Sequence, residues 1–205
     1  EFETVKGDAF FREDHELGSV ETLRIGLMDP RGDLKVDLFY VIGSESDVLI
    51  RWARFENLSE GPVTLLDPAA ASVDLEPDSY DLLRLGGAWG RERHVLRTPV
   101  SFGRHTLASR GGASGHQVSP FIAVSESGAR EDQGRVYAMS LGYSGNHYAA
   151  CDSDQYDAVR LTVGVNRLRW YLEPGERFDT PEAVLVVSDE GFGGMSNAFH
   201  RFARS

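Results

Sequence analysis

Apolar side chains recur with a period of two through most of this sequence. Leu34, Val36, Leu38, Tyr40 and Ile42 alternate with Lys35, Asp37, Phe39 and Val41. Val159, Leu161, Val163 and Val165 alternate with Arg160, Thr162, Gly164 and Asn166. Successive side chains of an extended chain point to opposite faces, so this period puts one set on the core face of a strand. Further strands are read at residues 23–28, 48–57, 62–75, 120–126, 135–143 and 181–188. Between them fall Asp29-Pro30-Arg31-Gly32, Glu60-Gly61-Pro62 and Glu173-Pro174-Gly175-Glu176, each pairing a φ-restricting proline with a permissive glycine. Closely spaced strands with no helix between them predict an all-β, antiparallel sandwich, because a parallel sheet needs crossover helices.

Two stretches break the pattern. Residues 86–116 are rich in glycine, arginine, serine and histidine and read as a long surface loop, the kind of segment that carries function. After Gly191-Phe192-Gly193-Gly194, the residues Met195, Phe199 and Phe202 fall at helical spacing and predict a short amphipathic helix over about 195–203. No linker or repeat divides residues 1–205, so a single β-sandwich domain is expected. The chain opens on Glu1-Phe2 rather than methionine and closes on a helix that looks cut short. The expectation is a fragment of a longer protein, truncated at both ends.

The formal net charge is −11, which disfavours binding to nucleic acid or to an anionic membrane surface. No run approaches the roughly twenty apolar residues of a membrane span, and no basic-then-apolar leader begins the chain. One cysteine, Cys151, cannot form an internal disulfide. It follows Ala149 and Ala150 and reads as a small core residue. The six histidines, His15, His94, His105, His116, His147 and His200, form no His-x-x-x-His pair, and there is no Cys-x-x-Cys. Zinc therefore has no support. A Gly-x-Ser-x-Gly elbow and a phosphate-binding Gly-x-x-x-x-Gly-Lys loop are also missing. Gly111-Gly112-Ala113-Ser114-Gly115 reads as a flexible turn. Asn57-Leu58-Ser59 matches a glycosylation sequon, and a hairpin turn explains it equally well. Trp52 and Trp170 read as core residues.

Several motifs recur in the order typical of one enzyme family. They begin with Gly86-Gly87-Ala88-Trp89-Gly90-Arg91-Glu92-Arg93 and continue with Ser109-Arg110-Gly111-Gly112-Ala113-Ser114-Gly115-His116-Gln117. Ser140-Leu141-Gly142-Tyr143-Ser144-Gly145-Asn146 follows, then Leu172-Glu173-Pro174-Gly175-Glu176-Arg177-Phe178 with Thr180-Pro181-Glu182. Ser188-Asp189-Glu190-Gly191, Gly194-Met195-Ser196 and Phe199-His200-Arg201 close the series. Over about residues 19–204 the sequence resembles the N-terminal domain of family 36 glycoside hydrolases, the bacterial α-galactosidases; the first eighteen residues match poorly. Where the family commonly continues His-Asn-Pro-Phe, this chain has Val118-Ser119-Pro120-Phe121.

The resemblance implies a β-supersandwich related in shape to galactose mutarotase, followed in the parent by a (β/α)8 barrel that carries the nucleophile and acid/base aspartates. Neither barrel motif, Lys-Trp-Asp or Gly-Gly-Gly-Arg-x-Asp, occurs in the 205 residues. Retaining hydrolysis needs two carboxyl groups about 5–5.5 Å apart across the scissile bond, so no catalytic residue, metal or cofactor is expected here. The implied partners are the barrel of the same parent chain, a galactoside substrate and further copies in a tetramer, and the implied location is cytoplasmic.

Trp89, Arg91, Arg93 and Asn146 are the candidate substrate-binding residues. An indole stacks on the apolar face of a pyranose, and guanidinium presents donors in a fixed fork. The bland alternatives are a core tryptophan, arginines paired with Glu92 or a neighbouring subunit, and an asparagine bonded to its own turn. Two other functions remain open at this level: a stand-alone carbohydrate-binding module, and a mutarotase-like epimerase, for which no acid/base pair stands out.

Overall fold

The computed structural model of the chain describes residues 2–4 and 19–204. His15 and the initial Glu1 lie outside the described residues. Among the described residues, sixteen strands precede one helix. They are β1 (Phe2–Thr4), β2 (Val20–Met28), β3 (Leu34–Gly43), β4 (Leu49–Asn57), β5 (Val63–Leu66), β6 (Ala69–Leu75), β7 (Tyr80–Ala88) and β8 (Arg91–Pro99). Then come β9 (Gly103–Ala108), β10 (Val118–Glu126), β11 (Val136–Leu141), β12 (His147–Ser153), β13 (Val159–Val165), β14 (Arg169–Leu172), β15 (Arg177–Asp179) and β16 (Ala183–Ser188). The helix α1 spans Gly191–Arg204.

A ten-stranded sheet runs β1-β2-β3-β4-β16-β11-β10-β7-β8, with β15 also paired to β4. A four-stranded sheet, β6-β13-β12-β9, and the ribbon β14-β5 complete the architecture. Every strand pairing is antiparallel, as the sequence predicts. One core lies between the large sheet and α1. It gathers Phe39, Val41, Ile50, Trp52, Leu83, Ala123, Val184, Met195 and Phe202. A second core lies between the large sheet and the four-stranded sheet, with Leu82, Ile122, Val124, Met139, Cys151, Leu161 and Val163.

The structure departs from the sequence reading in six places. The stretch 86–116 is not a loop throughout, because β8 and β9 lie within it. Every residue of β8 is exposed. It is an edge strand held by backbone pairing to β7, so it has no apolar rhythm to read. The stretch 62–75 is two strands, broken at Asp67, whose φ is 43°, and Pro68. The ribbon strand β14, together with β1, β7, β12 and β15, was also not anticipated.

Helix α1 begins four residues early, because Gly191-Phe192-Gly193-Gly194 forms its first turn rather than a break. These glycines pack where a side chain cannot. A Cβ at Gly191 would run into the Arg130 carbonyl, one at Gly193 would sit 2.6 Å from the Glu131 carbonyl, and one at Gly194 would meet Ser188 Oγ. Trp170 is 46% exposed rather than a core residue, whereas Trp52 is sealed and stacks on Phe39 at 4.6 Å between ring centres.

Strand β3 shows the sixth difference. Its sealed positions are Asp37, Phe39 and Val41, while the apolar set Leu34, Val36, Leu38 and Tyr40 is half-buried and Ile42 is exposed. Register carries this unsealed face sideways, since Leu23 pairs with Tyr40, Ile25 with Leu38, Leu27 with Val36, and Val36 with Phe55. The four-stranded sheet covers the large sheet only from β4 onward, so β2 and β3 present an apolar face with no described layer over it.

Candidate functional site

The tip of the β7–β8 hairpin is the two-residue turn Trp89-Gly90, with Gly90 at φ 75°. Just below it, Gly86 pairs with His94 and Ala88 with Arg91, so Gly87 faces both Glu92 and Arg93 in a β-bulge. Arg93 takes a left-handed φ of 54° there. Gly87 is required by packing, because a Cβ would collide with the Arg91 carbonyl and lie 2.9 Å from the His116 carbonyl. Trp89 is therefore thrust outward and is 87% exposed. Arg91 is exposed and, like Arg93, makes no salt bridge among the described residues. Pairing of Arg91 and Arg93 with Glu92 is thus not what the structure shows.

Near its tip the hairpin meets the 109–117 loop, since Gly87 packs against the His116 carbonyl and Gly86 pairs with Val118 just beyond the loop. That loop is in turn bound to the β11–β12 connection. Asn146 Oδ1 accepts the Gly112 N–H at 2.7 Å, and the Ser144 carbonyl accepts the Ser114 N–H at 2.6 Å. Asn166 Nδ2 donates to the Ser109 carbonyl at 3.0 Å, and the Asn166 N–H donates to the Asn146 carbonyl at 3.0 Å. The loops carrying Trp89, Gly112 and Asn146 are thus contiguous at one end of the sandwich. Beneath them His147 is fully buried, with Nδ1 at 3.1 Å from the Gly145 carbonyl.

Arg93 is separated from this set. It lines a groove of about 760 Å³ on the α1 side of the sheet, beside Leu85, Val95, Phe121, Phe192 and Phe199. A second cleft, of about 520 Å³, opens next to Asn146's loop between Gly142, Tyr143, Trp170, Phe178, Asp179 and Glu182. Of its aromatic walls, sequence reasoning had Trp170 only as a core residue and passed over Tyr143 and Phe178 as isolated residues. The signal lay in their neighbours, the Tyr-Ser-Gly-Asn and Gly-Glu-Arg-Phe motifs.

Asn57 is fully buried and all of its amide is committed. Nδ2 donates to the carbonyls of Gly61 and Leu172, each at 2.8 Å, and Oδ1 accepts the Ser59 N–H at 2.9 Å. Asn57-Leu58-Ser59 opens the turn between β4 and β5, which lie in different sheets and form no hairpin, and the Asn57 side chain is spent inside that turn. Cys151 is fully buried, and burial pushes its thiol up to about 11. No group of three metal-binding side chains occurs among the described residues.

Comparison with known proteins decides the family. The sequence profile of the glycosyl hydrolase family 36 N-terminal domain matches residues 5–172. The chain belongs to this family. The match reaches back into residues 5–18, where no motif was legible. The chain is 43% identical over 194 residues to the α-galactosidase AgaA of Geobacillus stearothermophilus, covering 94% of this chain and 26% of that protein. It is 35% identical to the bifunctional α-galactosidase/sucrose kinase AgaSK of Mediterraneibacter gnavus, over 90% of this chain and 20% of that one. A crystal structure of a G. stearothermophilus AgaA variant with 1-deoxygalactonojirimycin superposes on the whole chain with a TM-score of 0.93 at 40% identity, using 29% of that chain. The chain therefore spans about a quarter of the length of these relatives and corresponds to their non-catalytic N-terminal family 36 domain. No helix among the described residues is long and apolar enough to cross a membrane.

Proposed function

We propose that this chain is the accessory sandwich of an α-galactosidase, and that it acts only with further parts of the same parent polypeptide. The observation that carries this is the unsealed face of β2 and β3. Leu23, Leu27 and Ile42 are 41%, 48% and 51% exposed, in register with half-buried Ile25, Val36, Leu38, Tyr40 and Phe55. Isolated exposed leucines are ordinary, but a contiguous apolar patch marks a contact surface. The coverage of the relatives supports the same reading, since three quarters of their length lies elsewhere.

In this reading residues 1–205 are one β-sandwich domain of a longer chain, and a (β/α)8 barrel supplies the two carboxyl groups that cleave a terminal α-galactoside. The loop rim leans over the mouth of the barrel. Trp89 stacks on a pyranose face, Arg91 donates to its hydroxyls, and Asn146 holds the neighbouring loops in place. Arg93 contributes from the α1 side, at a contact with another part of the assembly. The parent is a homo-oligomer, a tetramer, that works in the cytoplasm.

The test is a kinetic comparison in the parent enzyme. Trp89→Ala is expected to lower kcat/KM for an α-galactoside about tenfold, equivalent to about 1.4 kcal/mol of lost stacking. Unchanged kinetics would remove the rim from the site.

A further inference from the structure

We infer that the cleft walled by Tyr143, Trp170 and Phe178 is a binding site of its own for a neutral hexopyranose. Its volume of about 520 Å³ falls within the range of roughly 300–1,000 Å³ typical of small-molecule sites. It is built on rigid parts. Trp170 belongs to β14, Phe178 to β15, and Gly142 and Tyr143 follow directly on β11.

The aromatic walls are held in place and yet left in water. Trp170 is 46% and Tyr143 41% exposed. Trp170 leans on Phe178 with ring centres 5.7 Å apart and planes at 44°, which fixes the indole while leaving one face free. Tyr143 lies flat on Gly145, where a Cβ would stand 2.5 Å from its Cζ and Oη. Only glycine at 145 permits that ring position. The loop beneath is tied down by the Gly142 N–H, which donates to the Glu182 carbonyl at 2.7 Å. An aromatic platform ordered before binding loses little entropy when a sugar face covers it.

The polar groups select against charge. Asp179 is clamped by Arg54, with Nε to Oδ1 at 2.7 Å and Nη2 to Oδ2 at 2.8 Å. Its negative charge is balanced, so a cationic ligand gains little from it. Each oxygen keeps accepting capacity for a hydroxyl. An anion finds no cationic side chain among the lining residues, and the chain's net charge of −11 disfavours it further. A flat, uncharged ring with an apolar face and several hydroxyls matches what remains.

The choice of a galactoside as probe rests on the proposed function, while the site itself does not. The experiment titrates methyl α-galactopyranoside into the 205-residue chain and follows by NMR the backbone amides of Gly142 and Thr180 in the cleft lining, together with the Trp170 indole N–H in variants that keep it. Saturable binding with Kd of about a millimolar is expected. Trp170→Ala should abolish it. Gly145→Ala, which displaces Tyr143 without touching the cleft lining, should weaken it severalfold. Phe102→Ala, an exposed aromatic outside the lining, should leave it unchanged, and dispersed spectra check the fold of each variant. No saturation at tens of millimolar, or binding that survives both Trp170→Ala and Tyr143→Ala, would overturn the site. Stronger binding of choline or galacturonate would overturn its neutral selectivity. Each of these failures leaves the Trp89 kinetics in the parent, and hence the proposed function, untouched.

Discussion

Asn146 Oδ1 accepts the backbone N–H of Gly112 at 2.7 Å, joining two loops 34 residues apart in sequence. This bond gives the glycine-rich 109–117 segment a defined course beside the β7–β8 hairpin. A net hydrogen bond of this kind contributes about 1 kcal/mol. Asn146→Ala is expected to lower stability by about that amount and to speed amide exchange at Gly112 and Ser114. Asn146→Asp, which keeps an acceptor oxygen, should retain most of the protection. Equal exchange in all three proteins would show that the bond does not order the loop.

Asn57 ties the end of β4 to β14, donating to the Leu172 carbonyl 115 residues away. Asn57→Ala takes this donor from the buried Leu172 carbonyl, whereas the Gly61 carbonyl is exposed and still accepts from Ser59 Oγ; one unsatisfied buried group costs about 1–3 kcal/mol. Urea unfolding should show a loss of about 1–3 kcal/mol with little change in the slope of the transition.

Gly87 and Gly90 sit three residues apart in one hairpin but resist substitution for different reasons. Gly90 has open space around it and only a φ of 75° to defend, so Gly90→Ala should cost about 1 kcal/mol. Gly87 has no room, so Gly87→Ala must push Arg91 away from β7 or displace His116. Its cost should be larger, about 2–3 kcal/mol, and it alone should disturb the pairing of Gly86 with His94. Thermal unfolding of both variants checks the order.

Cys151 gives a pH-dependent prediction. Its folded pKa of about 11 stands above the value of about 8.5 for a free thiol. Ionisation therefore favours the unfolded chain. The contribution is complete below the unfolded value and is lost as pH rises towards 11. Cys151→Ala should flatten this part of the alkaline stability profile. Alkylation of Cys151 at pH 8 should proceed only at the rate of unfolding, because the buried thiol is neither ionised nor accessible.

Most of the antiparallel fold could be read from strands with an alternating apolar set, such as β13, where Val159, Leu161, Val163 and Val165 are sealed. Edge strand β8 escaped because all of its residues face water and only backbone pairing defines it. The start of α1 escaped because glycines that look like a break are demanded by close approach to residues 130–133 and Ser188. At the candidate site, motifs singled out Trp89 and Asn146. The aromatic cleft was not, since Tyr143, Trp170 and Phe178 meet only after β11, β14 and β15 are brought together. Strand β3 teaches the opposite lesson. Its alternation singles out an apolar face that the described residues leave half-bare, as a contact surface would be.

The most direct test of the account is an assay of the purified 205-residue chain on a chromogenic α-galactoside. A domain that completes another module's active centre, without the paired carboxyl groups of its own, should give no turnover above the uncatalysed rate at any enzyme concentration. Hydrolysis that scales with the amount of this chain, and persists after exhaustive purification, would contradict it.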